Sequence, residues 1–268
     1  MNSLYFAFCH DDLLLVRLPD GTYTVPSGSE PPTALKAWTH VLDVNSPGGW
    51  KVKTYALDNI PDIVLHKDSK NLTPGTLSYE MCPLRQSYYK LSYSLYLTAG
   101  KCHELLYWDM NTRFCGVCGG QMKMSTEISK KCTECGKEIW PQLAPAVIVR
   151  IAREDKILMV RARNFRGDFY GLVAGFVETG ETLEEAVVRE TQEETGLSIK
   201  NIKYFGSQPW PYPSGLMVGF TADYAGGEIH LQRSELSTAA WFDKNHLPQL
   251  PEKLSIARML VDDWLNQE

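Results

Sequence analysis

The sequence predicts an α+β fold, because short strands gather at both ends of the chain, a capped helix stands in the C-terminal half, and two cysteine pairs lie between. The first strands are Leu4–Phe8, Leu13–Arg17 and Thr22–Val25, with Asp20-Gly21 as a turn signal. An irregular stretch follows, carrying Pro26, Pro31, Pro32, Pro47, Pro61 and Pro74. Between Pro83 and Asp109, Leu84, Tyr88, Leu91, Leu95, Ala99 and Leu106 recur at helical steps and predict one long amphipathic helix. Residues 1–110 thus read as an N-terminal α+β domain ending in a connecting helix.

Cys115 and Cys118, then Cys132 and Cys135, form two C-x2-C knuckles across residues 111–141. Four thiolates in this spacing suit a closed, tetrahedral Zn2+ site, and Gly116, Gly119 and Gly136 ease the backbone around each knuckle. Cys9, Cys82 and Cys102 have no such partners and read as buried. Across residues 113–141 the segment holds five bases against three acids, which reads as a solvated, mildly positive surface.

The third part, residues 142–268, is strand-rich again. Ala146–Arg150 and Lys156–Arg161 flank a Glu154-Asp155 turn, and Phe169–Ala174 is a third apolar segment. A helix is predicted over Leu183–Thr195, with Thr182 and Glu185 as a capping box and Gly196 as its C-terminal stop. Further strands fit Lys203–Ser207, Leu216–Tyr224 and Ala239–Phe242, with Trp241 and Phe242 in the core, and a last helix fits Ser255–Asn266. The alternating prolines of Pro209-Trp210-Pro211-Tyr212-Pro213 predict a stiff, extended loop that presents Trp210 and Tyr212 for stacking on a base or for contact with a partner.

With 268 residues, a net charge of −5, 44% apolar and 22% charged residues, the composition is that of an ordinary globular protein and not of a general nucleic-acid binder. No apolar run is long enough to span a bilayer, and the start Met1–His10 lacks a basic region before Asp11-Asp12, so a cytoplasmic location is expected.

Glu190, Glu193 and Glu194 stand at i, i+3 and i+4, on neighbouring faces of the central helix. Spacing alone fits either a solvated acidic face or a site for a hard divalent cation such as Mg2+ or Mn2+. The full stretch resembles the box of the Nudix hydrolases, G-x5-E-x7-R-E-U-x-E-E-x-G-U, through Gly175, Glu181, Arg189, Glu190, Glu193, Glu194, Gly196 and Leu197. Thr191 replaces the expected aliphatic. The resemblance implies that the C-terminal domain is an α/β/α sandwich and that Glu190 and Glu194 are metal ligands. It makes Glu193 a ligand or the carboxylate that orients water, and adds the Ala174 carbonyl and Glu235 to the metal shell. It gives Arg189 and Glu181 loop-shaping roles.

Ser207 to Met217 is similar to the S-Q-P-W-P-F-P-x-S array of the NADH pyrophosphatase branch, and the order of parts matches that branch along the chain. This implies hydrolysis of NADH or NAD+ to NMN(H) and AMP, with NAD caps on RNA 5′ ends as a further substrate, by a homodimer with catalytic Mg2+ or Mn2+ and structural Zn2+. The implied substrate contacts are Arg85, Glu127, Trp140, Phe176, Gln208, Pro209, Trp210, Pro211, Tyr212, Pro213, Ser214, Gly215 and Ala257. Core packing is the alternative for Trp140 and Phe176. Ser214-Gly215 and Ser27 depart from the branch pattern, which has Gln-Ser and often lysine there. The rival readings are a Nudix enzyme of another specificity, for ADP-ribose or diadenosine polyphosphates, and a non-catalytic nucleotide sensor. The sensor usually loses box glutamates, which are intact here.

Overall fold

The computed structural model describes residues 3–32, 40–45, 50–61, 64, 77–164 and 167–267, so Pro47 and Pro74 of the expected irregular stretch lie outside the described residues. The chain divides into two compact units, one formed by residues 1–142 with Pro211–Ser214 and the other by residues 143–210 and 215–268.

In the first unit, β1 (Ser3–Cys9), β2 (Asp12–Arg17), β3 (Tyr23–Thr24), β5 (His40–Asn45) and β6 (Lys51–Ala56) form a sheet in the order β3-β2-β1-β6-β5. β4 (Ser27–Gly28) pairs with β1, and β7 (Ser78–Pro83) pairs with β2. The predicted long helix is two helices, α1 (Leu84–Ser87) and α2 (Tyr93–Asn111). The break comes from Ser92, whose hydroxyl caps α2 by accepting from the Leu95 N–H, a local bond that competes with continuing the helix. Phe6, Phe8, Leu13 and Leu15 pack with Ala99, Cys102 and Leu106 of α2 into one core. Cys9, Cys82 and Cys102 are all buried, as the sequence led one to expect.

β8 (Met122–Thr126), β9 (Ser129–Cys132) and β10 (Glu138–Ile139) form the small sheet of the cysteine segment. One of its expected surface bases is not on the surface. Lys130 is buried, its Nζ 2.6 Å from Asp109 Oδ1 and 2.7 Å from the Asp109 carbonyl, and it lies over the Trp108 ring. A buried ammonium persists only when paired and hydrogen-bonded, which is the arrangement that the end of α2 supplies.

The second unit is a sheet in the order β14-β15-β11-β12-β16, with β13 paired to β11. Its strands are β11 (Ala144–Arg153), β12 (Lys156–Ala162), β13 (Val173–Phe176), β14 (Ser198–Trp210), β15 (Gly215–Gly226) and β16 (Leu236–Asp243). Helix α3 (Leu183–Thr195) has the predicted bounds, its capping box is formed, and Gly196 is left-handed at φ +72°. Helix α4 (Ile256–Leu265) is capped by Ser255. Val147, Val149 and Ile151 of β11 pack with Ala186 and Val187 of α3, while Ile148 packs with Ile256, Leu260 and Val261 of α4. The alternation along β11 thus places one helix on each face of the sheet.

Two local expectations change. The third strand begins at Val173 and runs through Gly175 to Phe176, Gly171 making only an isolated bridge to Val160. The proline array is a loop only in part: Pro209 and Trp210 pair with Leu216 and Gly215 at the end of β14, and Pro211–Ser214 form the turn between β14 and β15. β14 is an edge strand, where a residue without an N–H is tolerated. Among the described residues no helix is long and apolar enough to cross a membrane.

Glu104 of α2 has a buried oxygen without a hydrogen-bond partner, and burial pushes its carboxyl up to about 7. A folded-state value raised above the unfolded one favours the fold below the unfolded pKa, and that contribution is lost as pH rises through about 7. Glu104→Gln is therefore expected to melt above the wild type at pH 8 and close to it at pH 5, measured by calorimetry at the two pH values.

Candidate active site and cysteine cluster

The geometry of the site starts at strand β13, where Gly175 pairs with Val147 and Ala174 with Ile148. A Cβ placed on Gly175 would stand 2.0 Å from the Glu190 carboxyl carbon and from its Oε1. Only glycine lets helix α3 bring that carboxylate against the strand. Arg189 then binds the surrounding acids into one piece. Its Nε and one terminal nitrogen grip Glu181 at 3.0 and 2.6 Å, and its other terminal nitrogen reaches Glu190 at 2.9 Å and Glu193 at 3.1 Å. The nitrogen that meets Glu181 Oε1 also donates to the Phe176 carbonyl at 2.9 Å, tying the end of β13 to the helix. Bonds to Arg189 hold the Glu181 carboxyl down at about 2. The loop-shaping roles expected for Arg189 and Glu181 are what these contacts provide.

Glu194 is different. It is 5% exposed, its Oε2 has no hydrogen-bond partner, and burial, reinforced by Glu190 and Glu235, raises its carboxyl to about 8. Burial also raises Glu190, against the lowering effect of Arg189. Glu193 is exposed. Glu194 and Glu235 line a cavity of about 430 Å3 with Ala174, Leu172, Arg163 and Asn164. A buried, unpartnered carboxylate beside two others is the donor chemistry that a hard divalent cation satisfies, so the residues present fit such an ion. Arg163 and Asn164 gave no signal in the sequence, because nothing local marks the residues just after a strand as cavity-lining. Thr191 is fully buried and its hydroxyl donates to the Val187 carbonyl at 2.7 Å, so the departure at that position leaves no polar group unsatisfied.

The other residues singled out in the sequence fall in several places. Phe176 ends β13 and is 66% exposed, and Trp140 follows β10 at 53%, so neither is a core residue. Ala257 lies in the first turn of α4, packed against its core. Gln208 is buried, its amide donating to the Leu254 carbonyl and accepting from the Ile256 N–H, each at 2.7 Å. In the first unit, Arg85 stands exposed on α1 and Glu127 exposed between β8 and β9. Pro211 there is buried, and Tyr212 packs against the main core while Pro213 is exposed and Ser214 half-buried. Trp210, Gly215 and Pro209 remain with the second unit.

The four cysteine sulfurs of residues 115, 118, 132 and 135 lie within 4.8 Å of one another. The Val117 N–H donates to Cys115 Sγ and the Glu134 N–H to Cys132 Sγ, each at 3.4 Å, and the Cys135 N–H draws the Cys132 thiol down to about 6. Gly119 and Gly136 have φ of +75° and +72°, the left-handed turn that each knuckle requires.

Residues 142–263 match the NUDIX domain. The NAD-capped RNA hydrolase NudC of Pseudomonas aeruginosa (strain LESB58) is 40% identical over 206 residues, which cover 76% of this chain and 73% of that protein. The chain belongs to the Nudix family, in its NudC branch. The NAD-capped RNA hydrolase NudC of Pectobacterium atrosepticum is 46% identical over 170 residues, 63% of this chain, so the chain spans 65% of the length of that relative. Nudix membership implies a divalent metal, and the acids around α3 are the group suited to hold it.

Gly175→Ala tests this geometry. The atoms nearest the new methyl are those of the Glu190 carboxylate, so the methyl must push that group off Arg189, while the protein should stay folded. Displacement of Glu190 should weaken divalent-cation affinity about 10- to 100-fold, the range seen when a residue supporting a metal ligand is lost. Titration with Mn2+ followed by paramagnetic resonance reads the change.

Proposed function

We propose that this Nudix protein is a divalent-cation-dependent NAD(H) diphosphatase, cleaving NADH or NAD+ to NMN(H) and AMP and removing NAD caps from RNA 5′ ends. The observation that carries the reading is the buried Glu194, its Oε2 unpartnered, which lines one cavity with Glu235 and feels the charge of Glu190. The array Gln208 to Gly215 and the curated NudC relatives supply the substrate class. Those relatives are NAD-capped RNA hydrolases.

Glu190, Glu194, Glu193, Glu235 and the Ala174 carbonyl would hold Mg2+ or Mn2+. Such cations, when bound, neutralise phosphate oxygens and lower the pKa of water. The residues of the chain do the rest. Arg189 fixes the direction of Glu190 and Glu193, and Glu193, exposed and tethered, receives a proton from the attacking water. Water oxygen bonds to one phosphorus of the bridge, the bridging P–O bond breaks, and the oxygen leaves on the other phosphate. Phe176 and Trp140, both exposed aromatics, and Trp210 and Tyr212 supply ring contacts, with Arg85, Glu127, Pro209, Pro211, Pro213, Ser214, Gly215 and Ala257 as further contacts and Gln208 as the buried support of the array. Cys115, Cys118, Cys132 and Cys135 bind structural Zn2+, a reading supported by four sulfurs within 4.8 Å of one another. The protein works as a cytoplasmic homodimer, with parts at residues 1–110, 111–141 and 142–268.

Incubation of pure protein and of Glu194→Gln with Mn2+ and a panel of NADH, NAD+, NAD-capped RNA, ADP-ribose and diadenosine polyphosphates tests the reading. NADH should give NMNH and AMP, and Glu194→Gln should lose about 10²–10⁴ in rate while staying folded. Near-wild-type turnover by the variant would remove Glu194 from the metal shell, and preference for ADP-ribose would overturn the substrate class.

Trp210→Ala is expected to lower kcat/KM for NADH about tenfold to a hundredfold, since stacking on a protein aromatic contributes roughly 1–3 kcal/mol per base. A dialkyl diphosphate without rings should be cut nearly as before. Equal losses on both substrates in a folded variant would show that Trp210 does not stack on substrate.

A further inference from the structure

Three residues at i, i+4 and i+7 on α2 share one helix face, Tyr96, Gly100 and His103, and all three meet the segment Pro211–Tyr212. The Tyr96 and Tyr212 hydroxyls are 3.1 Å apart. His103, buried, has its Nδ1 3.1 Å from the Pro211 carbonyl and its Nε2 3.1 Å from Asp11 Oδ1. A Cβ on Gly100 would stand 3.0 Å from Pro211 Cγ, tighter than a side chain normally packs. Glycine inside a helix costs roughly 0.5–1 kcal/mol relative to alanine, and here the bare backbone is what admits the proline ring.

We infer that this face of α2 is a seat that positions the aromatic array, so that Tyr96, Gly100 and His103 act as positioning residues for dinucleotide selectivity. Pro211 has no N–H to offer, and its carbonyl is the backbone handle that His103 holds. Trp210 precedes it directly, and a residue before proline is confined to extended conformations, so fixing Pro211 narrows the directions open to the Trp210 ring. The sheet pairing of Trp210 with Gly215 fixes the other side of the same residue. The inference rests on the reading of Trp210 as a stacking residue.

His103→Leu removes the donor to Pro211. A hydrogen bond of ordinary strength corresponds to about a two- to tenfold effect, so KM for NADH should rise by that factor with kcat within about twofold. Hydrolysis of the dialkyl diphosphate should not change. His103→Asn, which places an amide donor near the Nδ1 position, should recover most of the KM. Gly100→Ala, which pushes Pro211 without touching a polar group, should raise the same KM. If His103→Leu does not fold, Tyr96→Phe and Gly100→Ala decide the matter by the same comparison. Wild-type KM for NADH in the folded variants, or losses shared equally by the dialkyl diphosphate, would overturn the seat. A wild-type protein that does not prefer NADH to the dialkyl diphosphate would instead overturn the stacking reading.

Discussion

Three carboxylates and one carbonyl converge on Arg189, and most of what is distinctive about the second unit follows from that convergence. Acids crowded on one helix face would repel one another and splay into solvent. A single planar guanidinium, offering donors in a fixed fork, holds Glu181 on one side and Glu190 and Glu193 on another. Its bond to the Phe176 carbonyl fastens the end of β13, which in turn permits the contact of Gly175 with Glu190. Glu194 lies outside the clamp, buried and with its Oε2 short of a partner. The acids on the arginine are held in place by it, and Glu194 is held by the packing around it alone.

Much of this second unit was legible in the sequence because its signals are local. The bounds of α3 follow from Thr182, Glu185 and Gly196, each acting through bonds to residues a few positions away. Glu190, Glu193 and Glu194 needed only helical spacing to be grouped. The cysteine knuckles were legible for the same reason, since C-x2-C closes within a single turn of chain. The errors have other causes. The α1–α2 break rests on Ser92, one hydroxyl in an otherwise helical apolar pattern. The whole array looked like a loop because prolines normally break ladders, and the pairing of Pro209 and Trp210 depends on β14 being at the sheet edge. Lys130 looked like a surface base because its partner, Asp109, lies 21 residues earlier in the chain.

Buried polar groups divide the same way. Gln208 and Thr191 satisfy themselves on backbone carbonyls or N–H groups of nearby elements and so act as fasteners. Glu104 and Glu194 do not, and burial lifts both carboxyls toward neutrality. One stands on a helix of the first unit and the other at the cavity of the second, so the same physical signature has two meanings. Only the neighbouring acids Glu190 and Glu235 distinguish the donor site from a burial cost.

The placement of Pro211–Ser214 in the first unit also bears on how the protein is made. That unit is discontinuous in sequence, and its last piece emerges from the ribosome roughly 70 residues after residue 142, a delay of about 4–14 s at common rates of synthesis. Until then the face formed by Tyr96, Gly100 and His103 has no cover. The nascent first unit therefore waits, incomplete, for the part of the chain that carries the array, and a truncation after residue 142 would freeze it in that waiting state.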